Sequence, residues 1–262
     1  MSRPGRVILE KRGKVALIVL NSPETSNALD TRTGAELEQA LSDAARDPDI
    51  KAAVLTGQGP NFSSGANVKA IMAELQKHPD KTSGDILGNL VRPFTGAASL
   101  LTDMEKPVIG AVKGTAAGGG LALALACDLI VAAASARFDP VYLRLGLVPV
   151  GGLTYLAPRL MGLKKAAEFF FLARALSAAE ACEFGLVNRV VAEEEVLPTA
   201  LGLAEAMAAQ PGLGLSRTKR LLNGSCRREL LEAMENENQA LRECAEHPEH
   251  RGLFEKLFQK LS

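Results

Sequence analysis

Short runs of apolar residues alternate with segments of helical periodicity along the first 195 residues. The runs lack a polar face and contain many β-branched side chains, a pattern typical of buried strands. They cover residues 15–20, 52–57, 106–112, 129–134 and 186–191. A further run at 6–10 precedes Gly13 and predicts a β-hairpin with residues 15–20.

Helical periodicity begins after Asp30, a residue type favoured at helix N-caps, and ends at Pro48. Three apolar residues share one face of this segment, namely Leu37, Leu41 and Ala44. From residue 196 onward the pattern is almost entirely helical, and the last helix carries an apolar stripe of Phe254, Leu257, Phe258 and Leu261. The order of elements predicts an α/β fold with a core over residues 1–195 and a helical region over 196–262.

Composition narrows the range of functions. Hydrophobic residues make up 47% of the 262 residues, which is enough for a sizeable core. The 30 lysines and arginines balance 30 aspartates and glutamates, so no basic excess favours a nucleic-acid partner. The cysteines form no CxxC pair, which favours free thiols over a metal or redox site; they are Cys127, Cys182, Cys226 and Cys244.

Targeting signals are not expected in this sequence. The N-terminal segment has no apolar h-region of the kind found in signal peptides. The longest apolar stretch, residues 115–127, is too short to span a bilayer. These features predict a soluble cytoplasmic protein without a membrane partner.

A glycine-rich segment, GTAAGGG at 114–120, joins a predicted strand to a predicted apolar helix. Glycines there let backbone N–H groups face a ligand without an intervening Cβ. A phosphate-binding loop needs Lys and Ser or Thr next, whereas Leu121 and Ala122 follow. A dinucleotide loop needs an acid about twenty residues later, and Asp128 comes too early. An oxyanion hole for a thioester enolate and close packing of helix against strand are both compatible with the glycines.

Four segments together resemble the enoyl-CoA hydratase/isomerase family, also called the crotonase family. They are FSSGANVK at 62–69, KPVIGAVKGTAAGGG at 106–120, CDLIVAAASARF at 127–138 and EACEFGLVNRVV at 180–191. Their order and spacing match the family from about residue 6 to the C-terminal helices. The resemblance implies a crotonase-like spiral of strand–strand–helix repeats with a C-terminal helical trimerisation region. It also implies a homotrimer or a hexamer.

The resemblance further implies an acyl-CoA thioester as substrate, as in fatty acid metabolism, with coenzyme A as part of the substrate and no separate cofactor or metal. Family members hold the thioester oxygen with two backbone N–H groups, and the matching positions are Ala66 and Gly119. Ser64 and Lys69 match positions beside the CoA moiety, although Lys69 is equally compatible with a solvated helix lysine. Two further lysines of the last helix are candidates for the CoA, Lys256 and Lys260.

The sequence departs from the family where catalytic carboxylates are usual. Hydratases of the family have glutamates at the positions of Ala122 and Tyr142, and isomerases often have a carboxylate at the position of Val150. A positioned acid or base contributes about 10²–10⁴ in rate, and neither alanine nor valine can transfer a proton. Tyrosine, with a reference pKa of about 10, is a better acid than base. Hydration by two glutamates is therefore disfavoured.

Three functions stay open on these residues. The chain is an enolate-stabilising enzyme of the family, a decarboxylase in which Tyr142 protonates the enolate, or an inert acyl-CoA-binding member. Loss of CO₂ leaves the same enolate and needs no base, which favours decarboxylation, although Tyr142 is also compatible with core packing. Asp139 before Pro140 is typical of a helix N-cap. The histidines are predicted to lie in surface loops; they are His78, His247 and His250.

Overall fold

The computed structural model describes residues 5–78, 80–224 and 227–261. In chain order the strands are β1 (Val7–Arg12), β2 (Val15–Leu20), β3 (Ala52–Gly57), β4 (Val108–Val112), β5 (Thr115–Ala117), β6 (Leu129–Ala133), β7 (Arg137–Asp139), β8 (Leu176–Ser177) and β9 (Arg189–Val191). The helices are α1 (Thr31–Arg46), α2 (Val68–Lys77), α3 (Ser83–Asp103), α4 (Gly119–Leu125), α5 (Leu153–Met161), α6 (Leu163–Phe171), α7 (Ala178–Glu183), α8 (Val196–Ala208), α9 (Gly212–Gly224), α10 (Arg227–Glu246) and α11 (Pro248–Leu261).

The main sheet has six strands in the order β1-β2-β3-β4-β6-β9. β1 and β2 form the antiparallel hairpin predicted from the sequence, and the other neighbours are parallel. Every residue of β2, β3 and β4 is buried, as expected for parallel strands covered on both faces. The core therefore lies on both sides of these central strands.

A second sheet of three strands, in the order β5-β7-β8, positions the candidate site. β4 leads into β5 and then α4, whereas β6 leads into β7 and then a 3-10 helix over Val141–Leu145. This strand–strand–helix repeat pairs β5 with β7 in parallel, so that Ala117 lies opposite Asp139. The starts of α4 and of the 3-10 helix consequently lie side by side.

The C-terminal helices pack back onto the core. α8 contacts β2, β3, β4 and β6, and α10 packs along α3 and contacts α5. α11 contacts both α2 and the 3-10 helix. The boundary at residue 195 and the role of this region in trimerisation stay predictions. In the described ranges, helices long and apolar enough to cross a bilayer are absent.

Most predicted elements are confirmed, with shifted ends. Asp30 caps α1 by accepting the Thr33 amide, and α1 ends at Arg46, before Pro48. The predicted strand at 186–191 is shorter, because the amides of residues 186 and 187 donate back to the Ala181 carbonyl and close α7. The apolar stripe of the last helix buries Phe254. The side chains of Phe258 and Leu261 lie outside the described residues, as does Cys226; the other cysteines are free thiols.

Candidate functional site

The loop at 58–67 runs beside the glycine segment and brings the two predicted halves of the site together. The Ser63 amide donates to the Thr115 carbonyl at 3.0 Å, and the Ala117 amide donates to the Ser63 carbonyl at 2.9 Å. Gly114, with a φ of +52°, allows this approach, since a Cβ there would collide with the Pro60 carbonyl oxygen. Residues separated by about fifty positions in sequence therefore meet at the end of β5.

The backbone N–H of Ala66 lies on the outer side of a short parallel pairing. In that pairing the Leu29 amide donates to the Gly65 carbonyl at 2.7 Å, and the Asn67 amide donates to the Leu29 carbonyl at 2.8 Å. These bonds use the neighbours of Ala66, so its own N–H faces away from Leu29. Within the described ranges, no protein acceptor binds this N–H.

The N–H of Gly119 is also without an acceptor among the residues that the structure describes. Gly119 is the first residue of α4, where no intrahelical partner exists. The preceding amide, that of Gly118, donates to the Asp139 carbonyl at 3.1 Å, and Gly118 has a φ of +50°. The Gly118 bond to β7 therefore fixes the turn from which the Gly119 amide emerges.

Close packing, the other use foreseen for the glycines, is present as well. A Cβ on Gly120 would lie 2.6 Å from the Cβ of Ser63, and one on Gly119 would lie 3.0 Å from Leu29 Cδ1 and 3.1 Å from Phe94 Cε2. Both sequence interpretations thus apply to the same segment. The glycine Cα atoms pack against the core while one amide stays available.

Tyr142 lies at the other side of this turn, on the 3-10 helix. Its Cζ would be 3.9 Å from a Cβ on Gly118, and the residue is 7% exposed. The buried hydroxyl makes no hydrogen bond within the described part of the chain. Burial raises the pKa of Tyr142 well above its usual value, and the negative charge of Glu237 adds to the rise. The Val150 backbone amide offsets part of this rise in the pKa.

The three positions at which the family often has acids converge in space. A Cβ on Gly151 would lie 2.7 Å from the Cβ of Ala122, and the backbone amide of the neighbouring Val150 lowers the pKa of Tyr142 slightly. Ala122 and Val150 are completely buried. Of these three side chains, only Tyr142 carries a transferable proton, and its raised pKa keeps it protonated at neutral pH. It can therefore donate a proton but not act as a general base.

Sequence reasoning missed Glu237, a buried acid next to this group. Its Oε2 accepts the Gly152 amide at 2.8 Å, and its Oε1 accepts the Thr154 amide at 2.8 Å and the Thr154 hydroxyl at 2.6 Å. Burial raises the pKa of Glu237, although these bonds favour the ionised form. The sequence does contain a signal for this residue: Glu237 is spaced so that it falls on the buried face of α10 together with Leu230, Met234 and Leu241.

Three of the residues predicted to contact CoA lie on the surface: Ser64, Lys69 and Lys256. Ser64 is exposed, and its hydroxyl donates to the Thr25 carbonyl at 3.2 Å. Lys69 is exposed in the first turn of α2, three residues after Ala66. Lys256 is exposed on α11, and the side chain of Lys260 lies outside the described residues. Ser64 and Lys69 are therefore exposed on either side of Ala66 along the chain.

A cavity of about 420 Å³ opens between the start of α1, α2 and α3. Its apolar wall contains Ile71, Ile86 and Leu90, and its polar wall contains Arg32 and Lys81. Its lining does not include the amides or Tyr142. Ile71 and Leu90 line this cavity and also belong to the core.

Two smaller predictions were wrong. Asp139 does not cap a helix; it ends β7 and its carboxylate pairs with the guanidinium of Arg144 at 2.6 and 2.7 Å, because Pro140 occupies the N-cap position. His250 does not lie in a surface loop. It is 3% exposed within α11, with Nδ1 2.7 Å from the Leu145 carbonyl oxygen. In the part of the chain described, no three His, Cys, Asp or Glu side chains are grouped to hold a metal ion.

Comparison with known proteins identifies the same family as the sequence motifs. A model of the family described as enoyl-CoA hydratase/isomerase matches residues 10–257. The short-chain-enoyl-CoA hydratase of Clostridium acetobutylicum is 35% identical over 239 residues, which cover 91% of this chain and 88% of the relative. The 1,2-epoxyphenylacetyl-CoA isomerase of Escherichia coli K12 is 35% identical over 211 residues, covering 80% and 79%.

A solved structure agrees with the sequence relatives. The crystal structure of an enoyl-CoA hydratase/isomerase from Xanthobacter autotrophicus Py2 superimposes with a TM-score of 0.87 at 31% identity. The match covers 97% of this chain and 93% of that one. The similarity therefore extends through the C-terminal helices.

Proposed function

The chain belongs to the enoyl-CoA hydratase/isomerase family and has its crotonase-type fold, and on this premise we propose that it stabilises the enolate of an acyl-CoA thioester with the N–H groups of Ala66 and Gly119. One observation carries the proposal: these two neighbouring amides have no acceptor among the described residues. Two donors aimed at one oxygen stabilise the negative charge that develops on it. Each donor in such a hole contributes about 3 kcal/mol.

Coenzyme A enters this proposal as part of the substrate rather than as a separate cofactor. Lys69 lies in the first turn of the helix that follows Ala66, with its ammonium group exposed. A phosphate group of CoA can be paired there without any loss of internal contacts, and Lys256 on α11 is a second exposed cation. Ser64 is also exposed, two residues before Ala66.

Tyr142 favours decarboxylation as the reaction. Hydration and isomerisation need a group that accepts a proton, whereas Ala122 and Val150 cannot accept one and Tyr142 is neutral at physiological pH because burial raises its pKa. In a malonyl-type thioester the bond from the α-carbon to the carboxylate breaks, and its electron pair forms the enolate; in a glutaconyl-type thioester the bond from the γ-carbon breaks and its electron pair forms the conjugated dienolate. CO₂ departs, the Tyr142 hydroxyl gives its proton to the α-carbon, and solvent returns a proton to the phenolate.

The first experiment measures binding. Thermal unfolding of the purified protein with a panel of acyl-CoA esters should show stabilisation, since a ligand at one hundred times its Kd adds about 2.7 kcal/mol. Free acyl carboxylates without CoA serve as controls. If no CoA ester raises the unfolding temperature, the proposed function is wrong.

The second experiment separates the reactions. Release of CO₂ from malonyl-type and glutaconyl-type thioesters, followed by mass spectrometry, supports decarboxylation. Loss of the ultraviolet absorbance of crotonyl-CoA shows hydration and contradicts the argument from Ala122 and Tyr142. Binding without turnover of any ester identifies an inert acyl-CoA-binding member.

A homotrimer or a hexamer in the cytoplasm completes the proposal. Large apolar side chains are exposed around the end of α5 and on α6, including Leu163 at 72% and Phe171 at 77%. Contiguous exposed apolar residues are typical of a protein interface. Light scattering coupled to size-exclusion chromatography gives the mass directly, and a monomer would contradict this part of the proposal.

A further inference from the structure

The start of α5 is held by a residue from a distant helix. Gly151 and Gly152 precede α5 with φ values of +82° and +83°, and Gly152 provides no side-chain cap. The carboxylate of Glu237, 85 positions away along the chain, instead accepts the Gly152 amide, the Thr154 amide and the Thr154 hydroxyl. The amides at the start of a helix have no acceptor within the helix, and here a residue of α10 provides one.

The same turn forms a wall of the candidate site. Gly151 packs against Ala122, in the first turns of the helix that begins at Gly119, and Gly118, directly before that helix, lies beside the Tyr142 ring, since a Cβ on it would be 3.9 Å from Tyr142 Cζ. A shift of this turn would therefore move the surroundings of Tyr142. The two glycines have no side chains with which to resist such a shift.

Glu237 is buried, so its carboxylate depends on the hydrogen bonds from Gly152 and Thr154. The residue is 4% exposed, on a helix face shared with Leu230 and Met234, which both approach Gly152. A buried carboxylate is tolerated only when hydrogen bonds replace its lost hydration, and here three donors do so. An apolar residue would pack on this face but leave the Gly152 and Thr154 amides without an acceptor.

We infer that Glu237 is a positioning residue for the reaction: by holding Gly152 and Thr154 it fixes the turn at 150–152 and thereby places the Tyr142 hydroxyl relative to the Ala66 and Gly119 amides. This inference rests on the proposed function. It also makes α10, in the predicted C-terminal region, a part of the catalytic apparatus. Glu237 acts through the turn and does not touch the substrate.

The test compares Glu237→Gln with Glu229→Gln. The first substitution removes the charge and turns a side-chain N–H₂ group toward one of the backbone donors that the carboxylate now accepts. Glu229 lies on the same helix and also joins α10 to α5, through the Tyr155 hydroxyl and Arg159, but it is exposed and bonds to residues beyond the turn. Both variants remove a link between the same two helices, but only Glu237→Gln removes the link to the turn.

A spectroscopic readout separates positioning from stability. The chain has two tyrosines and no tryptophan, so 3-fluorotyrosine in a Tyr155→Phe background places a single ¹⁹F label on residue 142. We expect Glu237→Gln to shift or split this ¹⁹F signal in the ligand-free protein, whereas Glu229→Gln leaves it in place. With a turned-over ester, kcat should fall by about 10²-fold, as for a small misplacement, while KM changes little. An unchanged ¹⁹F signal and an unchanged kcat in Glu237→Gln overturn the inference.

Two further results keep the test decisive. If Glu237→Gln does not fold, Thr154→Val removes one of the three bonds and keeps the charge, and it should shift the ¹⁹F signal in the same direction by less. A Thr154→Val protein with the parental signal and kcat then overturns the inference. Failure of the proposed function has a different signature, because the ¹⁹F shift would persist although no acyl-CoA binds to any variant.

Discussion

Gly65 packs against the start of α4 so closely that a Cβ on it would lie 3.4 Å from the amide nitrogen of Gly119 and 2.6 Å from the carbonyl oxygen of Ala117. Gly65 also has a φ of +83°, a conformation that L side chains rarely adopt. The absence of a side chain at this one position therefore lets the loop of Ala66 reach the Gly119 amide. The two donors of the proposed oxyanion hole depend on this approach.

Gly65→Ala should abolish stabilisation by acyl-CoA esters and turnover. The added Cβ forces the two peptide units apart, and the positive φ costs roughly 1–3 kcal/mol of folding free energy. Thermal unfolding with and without ester measures both effects. Gly202→Ala is the matched control, because a Cβ on Gly202 in α8 meets nothing within 4 Å. A Gly65→Ala protein with normal ester binding would contradict the proposed geometry.

Tyr142→Phe should raise stability and lower activity. Phenylalanine fills the same space, and removing a buried hydroxyl that lacks a partner recovers about 1 kcal/mol. The rate at which the protonated decarboxylation product forms should decrease at the same time, because the proton donor is lost. Denaturant unfolding and product analysis measure the two effects.

The control is Tyr155→Phe, which deletes a hydroxyl that donates to Glu229 at 3.1 Å. It should lower stability and leave product formation unchanged. If both tyrosine variants behave alike, Tyr142 has only a packing role.

Lys219→Met should destabilise the fold by about 3–5 kcal/mol without a direct effect on ester binding. The Lys219 side chain is 5% exposed, and its ammonium contacts Asp128 at 2.7 Å and the Leu101 carbonyl at 2.8 Å. Removal leaves Asp128 without its cation. Arg220→Met, on the same helix and exposed, should change the free energy of unfolding by less than about 0.5 kcal/mol. Equal effects of the two substitutions would contradict this assignment.

Acid should weaken the cap of α7. The Ser177 amide and hydroxyl, together with Arg174, bind the Glu180 carboxylate and lower its pKa to about 2 from 4.5. A carboxyl with a lowered pKa stabilises the folded state above its unfolded pKa, and this contribution disappears as the pH falls from 4.5 toward 2. The difference in unfolding free energy between the wild type and Glu180→Gln should therefore be largest above pH 4.5 and vanish near pH 2. A difference that does not change as the pH falls through this range would contradict the assignment.

Local patterns in the sequence were sufficient for much of the fold. The hairpin around Gly13 and the Asp30 cap depend on residues that are neighbours in sequence, so both could be predicted from the sequence alone. The strand at 186–191 was predicted too long, because tertiary closure of α7 removes its first residues. The family resemblance gave the fold as a whole, which the comparisons confirm.

The site was less accessible to such reasoning. The positions of Ala66 and Gly119 came from the resemblance. That their N–H groups have no acceptor depends on the pairing of Ala66 with Leu29 and of Ser63 with β5. Those pairings join distant segments and have no local signature. Glu237 was missed for the same reason, because the amides that donate hydrogen bonds to its carboxylate lie 83 and 85 residues away in sequence.

The most direct measurement is the infrared carbonyl band of a ¹³C=O-labelled acyl-CoA thioester bound to the protein. Hydrogen bonds from Ala66 and Gly119 would polarise the carbonyl, so the band should move to lower frequency than in water, and Gly65→Ala should abolish the shift. A bound ester whose carbonyl absorbs at its solution frequency would contradict the account.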